Sequence, residues 1–365
     1  MRIYNINSAA LSVFFAGILL LSCENVADSG SSQSRQTGDW LIPAGEVFDG
    51  GPGKDGIPAL TSPEVVPSDQ ISYLSDDDLV LIYKSGDITR AYPHPILDWH
   101  EIINDEVNGV KLSVSYCPLT GSGIGLSREI KVNNAARETT FGVSGLLYNT
   151  NLIMYDRLTD SYWSQMKFQS VHGELIGQEP EFILIIETTF GTLKKMYPNA
   201  EVVSNSTGVY GTSQYGRYPY GDYKTNDGRL LFPISPDDNR LPRKERVLGI
   251  IGETENRVYQ FKHFSNDIRV ISDELDGKTL VIAGSENLNF MTAFYAETND
   301  GTKLTFTPRL DDLPNIMEDN SGNVYDIFGL AVVGPDQGRQ LRAPESYIAF
   351  WFAWGAFYPG IDIYE

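Results

Sequence analysis

Cys117 is the side chain of this sequence best suited to covalent or metal chemistry, and His100 and Glu101 precede it closely. A thiol becomes nucleophilic when a neighbouring imidazole takes its proton and a carboxylate orients that imidazole. The candidate catalytic residues are therefore Cys117, His100 and Glu101. Thiolate and imidazole are also ligands of copper and zinc, so Cys117 and His100 form the candidate metal pair. A buried cysteine that only fills space in the core is the third interpretation.

A second group of aromatic and polar side chains follows the cysteine and could face the same cleft. The candidate ligand-binding residues are Tyr148, Asn149, Tyr155, Asp156, Trp163 and Gln165. Tyrosine and tryptophan combine a large contact area with one polar group, which suits ligand binding. Asp156 also suits a turn cap, because Arg-Leu-Thr-Asp follows it directly.

The elements around these residues recur about 167 residues further along the chain. Arg-Ala-Tyr at 90–92 recurs as Arg-Val-Tyr at 257–259, and Asp-Glu-Val-Asn-Gly at 105–109 recurs as Asp-Glu-Leu-Asp-Gly at 273–277. A repeat of this length indicates a duplicated domain, because solenoid periods are about 20 to 50 residues. The second copy has Gly284 and Ser285 where the cysteine should be. Any chemistry is therefore expected in the first copy.

Hydrophobic patterning predicts a mainly β (α+β) fold with a few short helices. Alternating or apolar runs flank turns such as Gly-Asp at 86–87 and Asn-Gly at 108–109, which are typical of β-hairpins. Helices are predicted for residues 95–104, 188–196 and 345–357, where apolar side chains recur at helical spacing or a proline ends the run. We expect two tandem β-rich units joined by a segment rich in tyrosine and glycine.

The connector, residues 201–244, crowds tyrosine with glycine and proline, which disfavours regular helix. Tyrosines presented on such a loop suit the binding of a planar or sugar-like ligand. A packed linker between the two units is the alternative. The first unit is predicted for residues 41–200, with the candidate site, and the second for residues 245–365.

The N-terminus has the pattern of a bacterial lipoprotein leader. Arg2 precedes an apolar run that is too short to span a bilayer, and Leu-Leu-Ser leads directly into Cys23. We predict a signal peptide at residues 1–22, lipidation of Cys23 and a flexible tether at residues 23–40. The expected location is the extracytoplasmic side of the cell envelope.

The net charge of −20 bears on the partners of this protein. An acidic chain without a basic run is repelled by phosphate backbones, so nucleic acid is not expected as a partner. The expected partners are the membrane, through the N-terminal lipid, and an unknown small ligand or protein. Cys117 has no second cysteine for an intramolecular disulfide once Cys23 is lipidated.

Several motifs together resemble the bacterial DUF3179 family, a family whose activity is not established. The motifs are Arg90-Ala91-Tyr92-Pro93, Asp98-Trp99-His100-Glu101, Tyr116-Cys117-Pro118-Leu119-Thr120-Gly121-Ser122, Phe141-Gly142-Val143-Ser144-Gly145, Met154-Tyr155-Asp156-Arg157 and Phe350-Trp351-Phe352-Ala353-Trp354. The resemblance covers nearly the whole chain after the tether. The family pattern Cys-Pro-Leu-Cys has Thr120 at its last position here, which puts a shared two-thiol or zinc-ribbon chemistry in doubt.

Three functions from different classes are consistent with the sequence. The first is a lipid-anchored module that binds a ligand or assembles with a partner, favoured by the connector and the acidic surface. The second is a thiol enzyme that uses Cys117 with His100. The third is a metal site, with copper or zinc, at the same two residues.

The leader motif generates the first prediction. Replacing Cys23 by Ala removes the lipid attachment site, so the Cys23→Ala protein is expected to move from the membrane fraction to the soluble fraction. Fractionation and intact mass spectrometry measure this, with Cys117→Ala as the control that stays in the membrane. A mature protein that begins at an unmodified Glu24 would contradict the assignment.

Overall fold

A computed structural model of the protein describes residues 39–298 and 301–365. The elements up to residue 203 form the first half. They are β1 (Val47–Asp49), β2 (Leu60–Thr61), β3 (Val65–Pro67), β4 (Leu79–Ser85), β5 (Ile88–Pro93), α1 (His94–His100), β6 (Ile102–Val107), β7 (Val110–Cys117), β8 (Ser122–Ser127), β9 (Glu129–Val132), β10 (Ala135–Glu138), β11 (Phe141–Tyr148), β12 (Asn151–Asp156), β13 (Tyr162–Ser164), β14 (Gln169–His172), β15 (Phe182–Ile183), β16 (Ile186–Thr189), α2 (Phe190–Met196) and β17 (Glu201–Val203).

The elements from residue 246 onward form the second half, which is also mainly β. They are β18 (Arg246–Ile251), β19 (Asn256–Gln260), β20 (Arg269–Leu275), β21 (Lys278–Ser285), β22 (Phe290–Tyr295), β23 (Phe306–Pro308), β24 (Asn315–Asp319), β25 (Val324–Asp326), β26 (Ala331–Val333), β27 (Glu345–Phe350), α3 (Trp351–Phe357) and β28 (Asp362–Ile363). The predicted β-rich fold class with short helices is confirmed. Within the described residues no helix is long and apolar enough to cross a membrane.

The central sheets of the two halves have the same strand order. In the first half β16 pairs antiparallel with β4, β4 with β5, and β17 runs parallel to β5. In the second half β27, β18, β19 and β28 are paired in the same way. The sheet β6-β7-β8 likewise corresponds in order to β20-β21-β22. Duplication into superposable units stays a prediction, as do the proposed boundaries of the two units.

The hydrophobic core is shared between the halves. One cluster joins the first-half elements β4, β5 and α2 to second-half strands, and its members include Val80, Leu193, Phe294 and Ile316. Another joins β11 and β12 to β18 and α3, and its members include Phe141, Met154, Val247 and Trp351. Each central sheet therefore buries one face against the other half, whereas its opposite face packs in a cluster that excludes the other half.

A buried ion pair ties the β6–β7 hairpin of the first half to its central sheet. Arg90 Nη1 lies 2.6 Å from Asp105 Oδ2, and the Tyr92 hydroxyl donates to the same oxygen at 2.9 Å. Arg90 Nη2 also donates to Glu201 at 2.6 Å, which joins β5 to β17. Burial and the charge of Asp105 raise the pKa of Tyr92.

The second half repeats this arrangement. Arg257 Nη1 lies 2.8 Å from Asp273 Oδ2, which also accepts from the Tyr259 hydroxyl at 2.6 Å. Arg257 Nε donates to Asp362 on β28 at 2.8 Å. The carboxylate is more exposed here, 15 % for Asp273 against 5 % for Asp105.

The helices α1, α2 and α3 of the structure are shorter than those predicted from the sequence, and one of the predictions was partly wrong. Residues 345–350 of the predicted helix 345–357 form β27, because they hydrogen bond to β18 along its whole length. Of residues 95–104, those after His100 turn into β6, and Glu101 ends the helix with a positive φ of 56°. Thr189 caps α2 and accepts from the Thr192 amide, so α2 begins at Phe190.

One predicted segment lies outside the described residues, and two predicted boundaries differ from the structure. The signal peptide, Cys23 and tether residues 23–38 lie outside the described part of the chain. Trp40, assigned to the tether, stacks on His172 with 4.5 Å between ring centroids, so the folded body includes this residue. β17 lies within the predicted connector but pairs with β3 and β5, and it therefore belongs to the first-half sheet.

The repeated ion pair generates the second prediction. Asp105→Ala leaves Arg90 with one buried partner fewer, and we expect a loss of about 3 kcal/mol in the free energy of unfolding. The matched variant Asp273→Ala removes a more exposed carboxylate and should lose about 1 kcal/mol. Urea denaturation of the two proteins measures the difference. Equal losses would mean that burial does not determine the strength of the pair.

Candidate functional site

Cys117 is the last residue of β7, and its side chain is buried in the core. The residue is 1 % exposed, and its Sγ lies 3.8 Å from the Thr150 carbonyl oxygen, to which it donates. Burial, followed by the negative charge of Glu101, raises the pKa of the thiol from 9.0 to about 11. At neutral pH the thiol is therefore protonated, which is the opposite of an activated nucleophile.

His100 is the last residue of α1, and both of its ring nitrogens contact groups other than the cysteine. Nδ1 lies 2.7 Å from the Pro58 carbonyl oxygen, and Nε2 lies 2.7 Å from the Tyr215 hydroxyl. Burial lowers the pKa of His100. The structure therefore gives His100 no hydrogen bond to Cys117, and the catalytic and metal pairs stay predictions. In residues 39–298 and 301–365, no group of three or more His, Cys, Asp or Glu could hold a metal ion.

Glu101 follows the helix directly and extends into an apolar cavity. The residue is 6 % exposed, and it lines a cavity of about 140 Å3 together with Leu119, Leu152 and Tyr220. None of the described residues hydrogen bonds to its carboxyl group. Burial and the nearby charge of Asp98 raise the pKa of Glu101 to about 8. Glu101 lies close enough to Cys117 to affect the thiol but has no orienting contact with His100.

Two predicted ligand-binding residues, Tyr148 and Asn149, lie at the turn between β11 and β12. The Asn149 amide nitrogen donates to the carbonyl groups of Ser235 and Ala356, both at 3.2 Å, and its oxygen accepts from the Ser235 amide. Asn149 therefore fastens the connector and α3 to this turn. The Tyr148 ring packs edge-on against Phe357 at 5.4 Å.

Asp156 and Trp163 also have structural partners. Asp156 accepts from the backbone amides of Leu158 and Thr159 at 3.1 and 2.7 Å, which is a turn cap. The indole nitrogen of Trp163 donates to the same carboxylate at 3.0 Å. Tyr155, another of the predicted ligand-binding residues, lies on β12. Its hydroxyl hydrogen bonds to Asp55, and its ring lies under the Lys54 ammonium at 4.0 Å.

Gln165 lies within a buried network of amides and hydroxyls. Its oxygen accepts from Ser122 and Asn151, both at 2.7 Å, and its nitrogen donates to Ser115 at 2.9 Å. Asn151 also donates to Thr120 at 2.9 Å. Thr120, the residue at the second cysteine position of the family pattern, therefore completes a satisfied polar network next to Cys117.

A wide groove between α1 and the connector is lined mainly by polar side chains, and we call it the polar groove. Its volume is about 550 Å3. The connector supplies one wall through Tyr215, Arg217, Tyr218 and Lys224, and α1 supplies another through its polar side chains. With Gly216 and Gly221, six of the lining residues therefore come from the segment whose tyrosines suggested ligand binding.

His94 is the buried polar side chain of this groove. Its Nε2 lies 3.0 Å from Glu187 Oε2, and its ring packs at 4.1 Å from the Tyr116 ring. Both ring nitrogens are buried, and neither makes an aligned hydrogen bond to a described residue, so the contact of Nε2 with Glu187 is close but poorly aligned. Glu187 also forms an ion pair with Arg246. Burial raises the pKa of Glu187, but Arg246 and His94 outweigh it and lower the pKa to about 2.

Asp98 lies one helical turn after His94 and faces the same groove. Lys224 Nζ contacts both Asp98 oxygens, at 3.0 and 3.1 Å, and lies 4.2 Å from the centroid of the Tyr218 ring. Burial raises the pKa of Asp98, and Lys224 opposes this effect. The Arg217 side chain is exposed and makes no ion pair within the described part of the chain.

His94, Asp98 and Lys224 are not among the site residues predicted from the sequence. His94 had a readable signal, because it lies between two prolines at the junction of a predicted strand and helix. Asp98 and Lys224 are 126 residues apart, and nothing local to either residue indicates the other.

Residues 54–361 match a family described as protein of unknown function (DUF3179). The chain belongs to the DUF3179 family. Comparison with curated proteins and with solved structures gave no match. The polar groove lies within the matched range, and so does the Glu101 cavity except for its lining residues Gly50 and Pro52.

The environment of Cys117 generates the third prediction. Raising the thiol pKa from 9.0 to about 11 lowers the thiolate fraction at pH 8 about 100-fold, and burial adds a steric barrier. In the Cys23→Ala protein, labelling of Cys117 with a disulfide reagent should be at least about 100-fold slower than in the same protein unfolded in urea. Labelling at the unfolded rate would instead indicate an accessible, reactive thiol.

Proposed function

We propose that this DUF3179 protein is a binding module that holds a polar, ring-shaped molecule of sugar size in the polar groove. The observation that carries this proposal is the convergence of polar side chains on the groove, where the buried residues His94 and Asp98 of α1 face the connector. A concave site with a few convergent polar groups is the usual form of a small-molecule binding site. A volume of about 550 Å3 lies within the range of small-molecule sites.

The charges of the polar groove favour a neutral ligand with many hydroxyl groups. Arg217 and Lys224 contribute cations, and Asp77, Asp78 and Asp98 contribute carboxylates, so both signs are present and the small excess of carboxylates disfavours an anionic ligand. Hydroxyl groups can donate to the carboxylates and accept from the cations at the same time. The Tyr218 ring supplies the apolar contact that a sugar ring needs on one face.

A second candidate function is acid–base catalysis on the bound ligand. His94 Nε2 lies 3.0 Å from Glu187 Oε2, so a carboxylate is close enough to orient the imidazole once the two groups align. The thiol-enzyme and metal hypotheses gain no comparable support, because Cys117 and His100 are each bound to other groups.

We also propose that the protein is exported and anchored through a lipidated Cys23, as its leader motif suggests. The two halves are proposed to derive from a duplication, supported by the shared strand order and by the repeated arginine–aspartate–tyrosine arrangement. On this proposal, the first half and the connector hold the ligand. The second half supplies Arg246 and its own residues of the shared core clusters.

The fourth prediction tests the polar groove. A panel of mono- and disaccharides is screened against the purified protein by saturation-transfer difference NMR, and at least one member is expected to bind. Arg217→Ala should weaken that binding about tenfold, because it removes one charged hydrogen bond from an exposed position.

The control is Arg229→Ala, which also removes an exposed connector arginine, one that pairs with Asp222 outside the groove. It should leave saccharide binding unchanged. Failure of every saccharide, or an equal effect of the two variants, would reject the proposed ligand class or its location.

A further inference from the structure

The cavity that holds Glu101 is separate from the polar groove and has different chemistry. It is lined mainly by aliphatic side chains of β11, β12 and the turn after Cys117, together with the Tyr220 and Phe232 rings. The two cavities have no lining residue in common. Asp98 and Glu101 are therefore only three residues apart on the chain but line different cavities.

Glu101 is the unexplained polar group of this cavity. Glu101 is 6 % exposed as a residue, and no described residue hydrogen bonds to or pairs with its carboxyl group, although buried carboxyl groups normally have such partners. The backbone at Glu101 has a positive φ of 56°, which is unfavourable for glutamate. The chain thus uses a strained residue to place an unpartnered carboxyl group against an apolar space.

We propose that this cavity binds a small, mainly aliphatic molecule with one accepting oxygen, to which the Glu101 carboxyl group donates a hydrogen bond. The aliphatic lining favours an apolar body, and the single carboxyl group fixes its orientation. A cavity of about 140 Å3 suits about six or seven heavy atoms, since a cavity of about 150 Å3 holds benzene.

The protonation state of Glu101 supports donation. Its pKa of about 8, raised by burial and then by Asp98, keeps the carboxyl group mainly neutral at pH 6.5. Cys117 on β7 and Tyr220 of the connector are the other titratable groups close to it. Strands β11 and β12 contribute only glycine and aliphatic side chains to the cavity, so they bring no charge that would ionise Glu101.

Two probes of equal size test this assignment. Hexan-2-one carries an accepting oxygen, whereas n-hexylamine carries a cation that would select the ionised carboxylate. Their binding to the full-length protein is titrated by ligand-observed NMR at pH 6.5 and 9.5. The ketone is expected to bind more tightly at pH 6.5, and to lose about tenfold in affinity at pH 9.5 as Glu101 ionises.

Variants at Glu101 separate the hydrogen bond from the shape of the cavity. Glu101→Gln keeps a donor that does not titrate, so ketone binding should persist and become independent of pH. Glu101→Leu removes the donor and should weaken ketone binding about tenfold. The control Glu345→Gln alters another carboxyl group whose pKa is raised by burial and should behave like the unaltered protein.

Three outcomes would overturn the proposal. They are the absence of ketone binding at either pH, tighter binding of hexylamine than of ketone at pH 6.5, and unchanged ketone affinity in Glu101→Leu. None of these results depends on saccharide binding, so failure here is distinguishable from failure of the polar-groove proposal.

Discussion

Glu187 is a negative charge inside the protein, and the rest of the structure depends on keeping the Arg246 cation beside it. Its side chain is 4 % exposed, and the ion pair with Arg246 and the contact with His94 keep its pKa at about 2 despite burial. Arg246 begins the central sheet of the second half, whereas Glu187 lies at the edge of the first. Removing Arg246 would leave the buried carboxylate without its cation, a change that costs about 3 to 5 kcal/mol in comparable sites. The ion pair between Glu187 and Arg246 therefore joins the two halves, in addition to the core clusters that they share.

The contact of Glu187 with His94 also affects which side chains of α1 line the polar groove. Glu187 holds the first residue of the helix, His94, and Asp98 follows on the same helical face, so both line the polar groove. The positive φ of Glu101 ends the helix and directs that side chain to the separate apolar cavity instead. The seven-residue helix and the residue that follows it therefore supply polar groups to two cavities of different chemistry. The connector completes both sites, with Lys224 in the groove and Tyr220 in the cavity.

Local sequence chemistry predicted the hairpins well, because a turn depends on residues next to each other. Asn108 and Gly109 both have positive φ, 52° and 80°, as the predicted two-residue turn requires. The helix predicted for residues 345–357 was partly wrong, because an apolar run fits a buried strand as well as a helix, and only pairing with β18 decides between them. The partners of Glu187 and the missing partner of Glu101 depend on packing between distant segments, which no local pattern encodes.

Glu101 makes the stability of the fold depend on pH in a direction that argues for a functional role. The unfolded chain releases the Glu101 proton near pH 4.5, and the folded chain releases it near pH 8. Between these values the folded state binds more protons, so this residue lowers stability as pH rises through that window. Leucine at the same place would carry no such cost, and the surrounding side chains are already aliphatic. A residue that is strained, unpartnered and destabilising at neutral pH is best explained by what it binds.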